Sequence, residues 1–251
     1  MSDFRNGYSI PANADMSVDA GLRGFMLGVY NKVALGLLVS AALAWLTGSY
    51  PPVRDLMFAT AVFPDGVERL TGFTLLGMIV AFSPLVILLG SNFLMKNPSP
   101  AAAGGLYWLI VALIGASMGT VVLVYTGASV IQTFLITAAA FGALSLFGYT
   151  TKKDLTGIGS FLIMGVIGLI IASVVNIFLQ NTMMQMIISI AGVLIFAGLT
   201  AYDTQRLKMT YYALGGNQTA MSVATSYGAL SLYINFINMF QFLLALFGGR
   251  R

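Results

Sequence analysis

Apolar residues run along this chain in long unbroken blocks, neither confined to one helical face nor alternating. LLGMIVAFSPLVILL at 75–89 and FLIMGVIGLIIASVV at 161–175 are apolar on nearly all sides. No Asp, Glu, Lys or Arg occurs in 33–53, 70–95, 97–151, 155–202 or 209–249. A helix needs roughly 20 residues to cross the hydrocarbon of a bilayer. The first two blocks each hold one crossing. The next two each hold a pair joined by a short uncharged turn, and the last holds a polar loop and one crossing. The pattern predicts seven helices, at about 26–47, 70–93, 102–124, 127–148, 156–177, 183–205 and 226–248. A membrane β-barrel would show strands of about ten residues alternating in polarity, which these blocks exclude. The expected fold class is an all-α polytopic membrane protein.

The segments between the blocks set the organisation. Residues 1–25 read as a polar tail and 26–249 as one transmembrane domain. The stretch 48–69 is the longest outer connection, and 208–227, KMTYYALGGNQTAMSVATSY, reads as a polar loop. Pro84 should kink the second helix, since its ring removes a backbone donor. Gly115 and Gly119, Gly165 and Gly168, and Ala197 and Ala201 recur at helix-packing intervals, where small residues let backbones approach.

Composition agrees with the pattern. Hydrophobic residues are 58% and charged residues 8% of the 251, against about 25% charged in soluble domains. There is no cysteine and no histidine, which excludes disulfides, thiol catalysis and Cys- or His-based metal sites. P-loop, Rossmann, HExxH and GxSxG patterns are missing too, so no enzyme and no cofactor is expected. The 14 methionines read as membrane packing. A net charge of +4 reflects scattered loop residues rather than a basic face for nucleic acid. The tail carries both charge signs and does not resemble a cleavable signal. With the N-terminus cytoplasmic, inner segments hold Arg5, Arg23, Lys32, Lys96, Lys152, Lys153, Arg206 and Lys208, and outer ones Arg54, Arg69, Arg250 and Arg251. That bias predicts a cytoplasmic N-terminus and a periplasmic C-terminus.

Candidate chemistry gathers on the last two predicted helices. Asp203, within FAGLTAYDTQRLK, is the only acidic residue between 155 and the C-terminus. A carboxylate at that depth faces a partner or a polar cavity. It reads either as an inward-facing gate or as a headgroup-level carboxylate paired with Arg206 at i+3. Ser231, Asn235 and Asn238 follow at spacings of four and three, on one helical face, with Gln241 three further on. That stripe reads as interhelical hydrogen bonding or as a polar lining for ions or protons. Lys96, Lys152, Lys153 and Arg206 read chiefly as topology markers, any of which could latch Asp203.

Three stretches carry a resemblance: 124–179, 190–208 (IAGVLIFAGLTAYDTQRLK) and 228–240 (GALSLYINFINMF). Over about 20–249 the chain resembles the Bax inhibitor-1, or transmembrane Bax inhibitor motif, family, with a bacterial inner-membrane flavour. The resemblance implies seven helices with the seventh central, and a pH-sensitive calcium leak gated by two aspartates. It also implies stress-protective roles and, in some bacterial relatives, regulation of a membrane protease. Asp203 matches one gating aspartate. Asn235, within LYINF, stands where the second is expected. An Asp–Asn pair lacks the like-charge coupling of two carboxylates and offers a cation one charge fewer. Lys96 is the counterpart of the family's latching base. The expectation is a calcium or cation leak with altered pH gating. The alternative is a non-conducting regulator that binds a membrane protease or other membrane proteins. A proton-coupled carrier is disfavoured, because no inverted repeat is evident.

Overall fold

A computed structural model describes residues 19–64, 66, 68–95 and 97–250. Asp19 caps the first helix, α1 (Ala20–Ser49), its carboxylate accepting from the backbone N–H of Gly21 (2.9 Å) and Leu22 (3.0 Å). The helix thus begins ahead of the predicted 26, so its first turns take up residues assigned to the tail. The connection expected at 48–69 is structured. It holds a short helix, α2 (Pro51–Met57), and an antiparallel hairpin of β1 (Phe58–Val62) and β2 (Glu68–Phe73). Gly66, at φ +77°, sits in the hairpin turn, a conformation open to a residue without Cβ. The fold remains otherwise helical.

Next comes α3 (Leu75–Leu94), helical through Pro84. Proline leaves the carbonyl one turn back without its donor. Here that carbonyl belongs to Val80, and the Ser83 hydroxyl donates to it at 3.0 Å. Helices α4 (Pro100–Ser117) and α5 (Gly119–Val124) follow one another across a step at Met118. Then come α6 (Gly127–Thr150), α7 (Thr156–Leu179), α8 (Thr182–Ala213) and α9 (Gln218–Phe247). The polar loop expected at 208–227 is therefore mostly helix. Only 214–217 separate α8 from α9, where Gly215 and Gly216 take φ of +56° and +84° and Asn217 caps α9. Polar residues misled the reading because α8, with 32 residues, spans roughly 48 Å at 1.5 Å per residue. It outruns a hydrocarbon core of about 30 Å, so its end lies among polar surroundings.

Among the described residues, six helices are long and apolar enough to cross a membrane: α1, α4 with α5, α6, α7, α8 and α9. The apolar stretch of α3, Leu75–Ser91, is shorter. Contacts between distant residues fix which ends meet. The start of α1 lies at the end of α8, where Tyr211 donates to Asp19 at 3.1 Å. The ends of α6 and α8 meet where Lys208 Nζ donates to the Tyr149 carbonyl at 3.1 Å. The opposite end of the molecule holds the close approach of Gly48 to Gly119 and the Thr126–Gly249 hydrogen bond.

Helix α9 packs on α1, α4, α6 and α8. Of its most apolar stretch 56% is buried, against 11% for α7, which packs chiefly on α8. Lipid is as apolar as a leucine side chain, so close packing carries the association of such helices. Gly115 shows how: a Cβ there would lie 2.6 Å from the Cα of Ser40. Gly148 lies equally close to the backbone of Ala201. Of the predicted small-residue pairs, Gly115 and Gly119 do meet neighbours, whereas Gly168 faces open space.

Candidate functional site

Asp203 and Asn235 meet between α8 and α9. Both side chains are buried, at 6% and 4% residual exposure. Asn235 Nδ2 donates to Asp203 Oδ2 at 2.8 Å. The other carboxylate oxygen, Oδ1, pairs with Arg206 Nη2 at 3.0 Å, one turn along α8. The two sequence-level alternatives for Asp203 are thus combined: it is paired locally with Arg206, and it faces the interior. An ionised carboxylate away from water needs partners for both oxygens, and here each oxygen has one.

Arg206 links this pair to open space. Its side chain is 47% exposed, its guanidinium lies 5.6 Å from the Tyr202 ring centre, and Nη2 also donates to Ser231 Oγ at 3.3 Å. Arg206 and Ser231 line a cavity of about 360 Å³ between α3, α8 and α9, with Ser91, Thr210 and Tyr227 among its walls. Four predicted residues, Asp203, Asn235, Arg206 and Ser231, are therefore brought together. Asn238 is not part of the group: its Nδ2 returns to the Ile234 carbonyl at 2.8 Å. Gln241 is exposed. The stripe on α9 drifts outward because a 3.6-residue repeat rotates positions spaced by three. Lys96 lies outside the described residues. Past Asn235 the buried side chains of α9 are apolar: Phe236, Ile237, Met239, Phe240, Leu243 and Leu244.

Several polar residues around the site escaped the sequence reading. Gln205, 2% exposed, accepts from the Leu155 N–H at 2.9 Å and donates to the Lys153 carbonyl at 2.8 Å. It fastens the α6–α7 connection to α8 next to Asp203. Lys208, read as a topology marker, is buried with its Nζ 4.7 Å from the Tyr149 ring centre. On the other flank of α9, Lys32 Nζ donates to Ser226 Oγ (2.6 Å), and Ser40 Oγ bonds Tyr233 OH (2.6 Å). Tyr107 OH donates to the Lys32 carbonyl at 2.5 Å. The isolated serine in the middle of an apolar α1 was the one available signal for this network. Outside the spans, hydrogen bonds from the Leu22 N–H, Tyr211 and the Gly21 N–H hold the Asp19 carboxyl below its ordinary range. What that carboxylate contributes is in place above the ordinary range and is lost as pH falls through the lowered value.

Among the described residues no group of three His, Cys, Asp or Glu converges. Calcium takes six to eight oxygen ligands, so a cation at this site would meet Asp203 as its one carboxylate.

A family model described as "Inhibitor of apoptosis-promoting Bax1" matches residues 22–251. A protein of Caulobacter vibrioides is 66% identical over 254 residues, covering 100% of both chains. The protein RP147 of Rickettsia prowazekii is 41% identical over 93% of this chain and 92% of its own. The inner membrane protein YbhL of Escherichia coli K12 is 40% identical over 92% of this chain and 94% of its own.

Proposed function

From the premise that this chain belongs to the Bax inhibitor-1 family, a non-catalytic regulatory family, and is a multi-pass bacterial inner-membrane protein, we propose that it is a cation leak pathway held shut at Asp203. Calcium is the candidate ion. The observation that carries this reading is the joint of Asp203 with Asn235 on α9 and with Arg206 in a cavity wall. The cavity lies on one flank of the joint, and the buried apolar side chains of α9 between Phe236 and Leu244 lie beyond it. A one-sided cavity ending at a paired carboxylate is what a closed pathway presents. Protonating Asp203 would neutralise the acceptor of the hydrogen bond that Asn235 donates from α9 and release Arg206 from its pair within α8, loosening both links from α8 to α9, which is how pH would gate it. Asn235, neutral, contributes no second titration.

The test is calcium flux into liposomes holding the purified protein. Wild type is expected to leak above empty vesicles, with a flux that changes across a pH series. Its flux should change by up to about tenfold per pH unit, the limit for one titrating group. Asp203→Asn is expected to flatten that dependence. No flux from wild type sinks the channel reading, and an unchanged pH profile in the variant sinks the assigned gate. The packed apolar run below Asn235 favours a second reading, a non-conducting regulator of a membrane protease or another membrane protein. That reading predicts no flux and a co-purifying membrane partner.

We further propose seven crossings, with α9 as the central helix, residues 1–25 largely a cytoplasmic tail and the C-terminus periplasmic. In support, α3 starts beside the β-hairpin and ends beside Arg206, at opposite ends of the molecule. Arg23, Lys32, Lys152, Lys153, Arg206 and Lys208 gather at the Arg206 end. Arg54, Arg69 and Arg250 lie at the other. A basic cytoplasmic face fits this orientation.

A further inference from the structure

On the far side of the bundle from the Arg206 cavity, α1 and α6 each pack on α9 and leave a cleft between them. The cleft has a volume of about 310 Å³ and is lined by Tyr30, Phe141, Gly142, Ser145, Leu146 and Tyr149. One atom in it is out of place. Ser145 is 5% exposed, and its Oγ has no hydrogen-bond partner. Several other buried hydroxyls in the bundle return to a carbonyl of their own helix, as Thr137, Ser189, Thr200 and Thr204 do, and Ser40 bonds across to Val111 and Tyr233. A buried hydroxyl left unmatched is costly, so this one is aimed at an acceptor that enters the cleft.

The cleft opens on a surface made for lipid: beside it, Leu146 and Phe147 are 62% and 54% exposed. Depth and charge specify the kind of lipid. Ser145 lies five residues before the end of α6, roughly 7.5 Å inside it. That is the level of glycerol ester carbonyls rather than of chain ends. Just beyond that end are Lys152 and Lys153, both exposed. Across the cleft, exposed Arg23 stands seven residues before Tyr30, two turns along the same face of α1. The acidic neighbours are engaged elsewhere: Asp154 accepts from Thr156 N–H, and Asp19 caps α1.

We propose that this cleft binds one anionic phospholipid. An acyl chain lies against Tyr30, Phe141 and Leu146, Ser145 Oγ donates to an ester carbonyl, and the headgroup phosphate faces Arg23, Lys152 and Lys153. The site is independent of the leak reading.

Native mass spectrometry from micelles tests it, with phosphatidylglycerol and phosphatidylcholine of identical chains offered together. Three basic groups near an anionic headgroup are expected to favour phosphatidylglycerol by about tenfold or more. A Cβ added at Gly142 meets nothing within 4 Å, so a side chain there enters the cleft without disturbing the bundle. Gly142→Leu should lose most of the bound lipid, and Gly142→Ala should keep it. The triple variant Arg23→Gln, Lys152→Gln, Lys153→Gln should keep a bound lipid but lose the headgroup preference. Equal retention of both lipids by wild type overturns the proposal, and that comparison needs no variant to fold. Wild-type phosphatidylglycerol binding in Gly142→Leu overturns the location. A wild-type dimer that Gly142→Leu renders monomeric would assign the cleft to a second copy of the chain instead.

Discussion

At the scale of single residues the informative position is Asn235. Its amide donates to Asp203 at 2.8 Å, so Asp203 is held by a neutral donor and by Arg206. Placing an acid there is the sharpest perturbation available. Two carboxylates at hydrogen-bonding distance titrate as a coupled pair with two macroscopic steps. Asn235→Asp is therefore expected to give a calcium flux with a second pH step that wild type lacks, each step spanning about one tenfold change per pH unit at most. A flux profile superimposable on wild type would show that residue 235 does not face the gate. Much of this site was legible beforehand. A lone acid on one helix and a polar face on the next marked the two elements, and the family resemblance set Asn235 against Asp203. Arg206's cavity was not legible, since it needs α3, whose approach leaves no mark in the sequence. The partners of Gln205 and Lys208 were missed for a related reason: each answers a backbone carbonyl, of Lys153 in a connection and of Tyr149 at the end of α6, and a carbonyl has no residue type to read.

At the scale of helices, the spans followed from the uncharged blocks, whereas their ends did not. Hydropathy reports the apolar stretches, and α8 and α9 continue as helix through the polar residues beyond them. The hairpin at 58–73 was hidden because FATAV and ERLTGF are too short to display alternation. Glycine spacing was only partly informative. Gly148 touches the Ala201 backbone, whereas Gly168 meets nothing within 4 Å, although both sit in apolar helices. Gly148→Ala should force α6 from α8 and lower the unfolding temperature in detergent, by a cost of about 1–3 kcal/mol typical of overpacking. Gly168→Ala should be neutral or stabilising, by no more than about 1 kcal/mol of helix propensity. Equal effects of the two substitutions would mean that α6 and α8 do not approach as closely as described.

At the scale of the whole molecule, the missing cysteines make topology directly measurable. Between residues 23 and 152 lie α1, α3, α4 with α5, and α6. If α3 crosses, single cysteines replacing Arg23 and Lys152 lie on one side of the membrane; if it does not, they lie on opposite sides. Both variants are expected to resist a membrane-impermeant maleimide in intact cells and to react once the inner membrane is opened. Gly127→Cys should react from the periplasm. A split result for the first two would leave six crossings. The same connection that carries Lys152 is bound to α8 by Gln205, two residues along from Asp203. Any turning of α8 that parts Asp203 from Asn235 must either break both Gln205 hydrogen bonds or drag this segment with it. The buried joint of Asp203 and Asn235 is thus mechanically geared to a surface loop, and whatever grips that loop holds a handle on the joint.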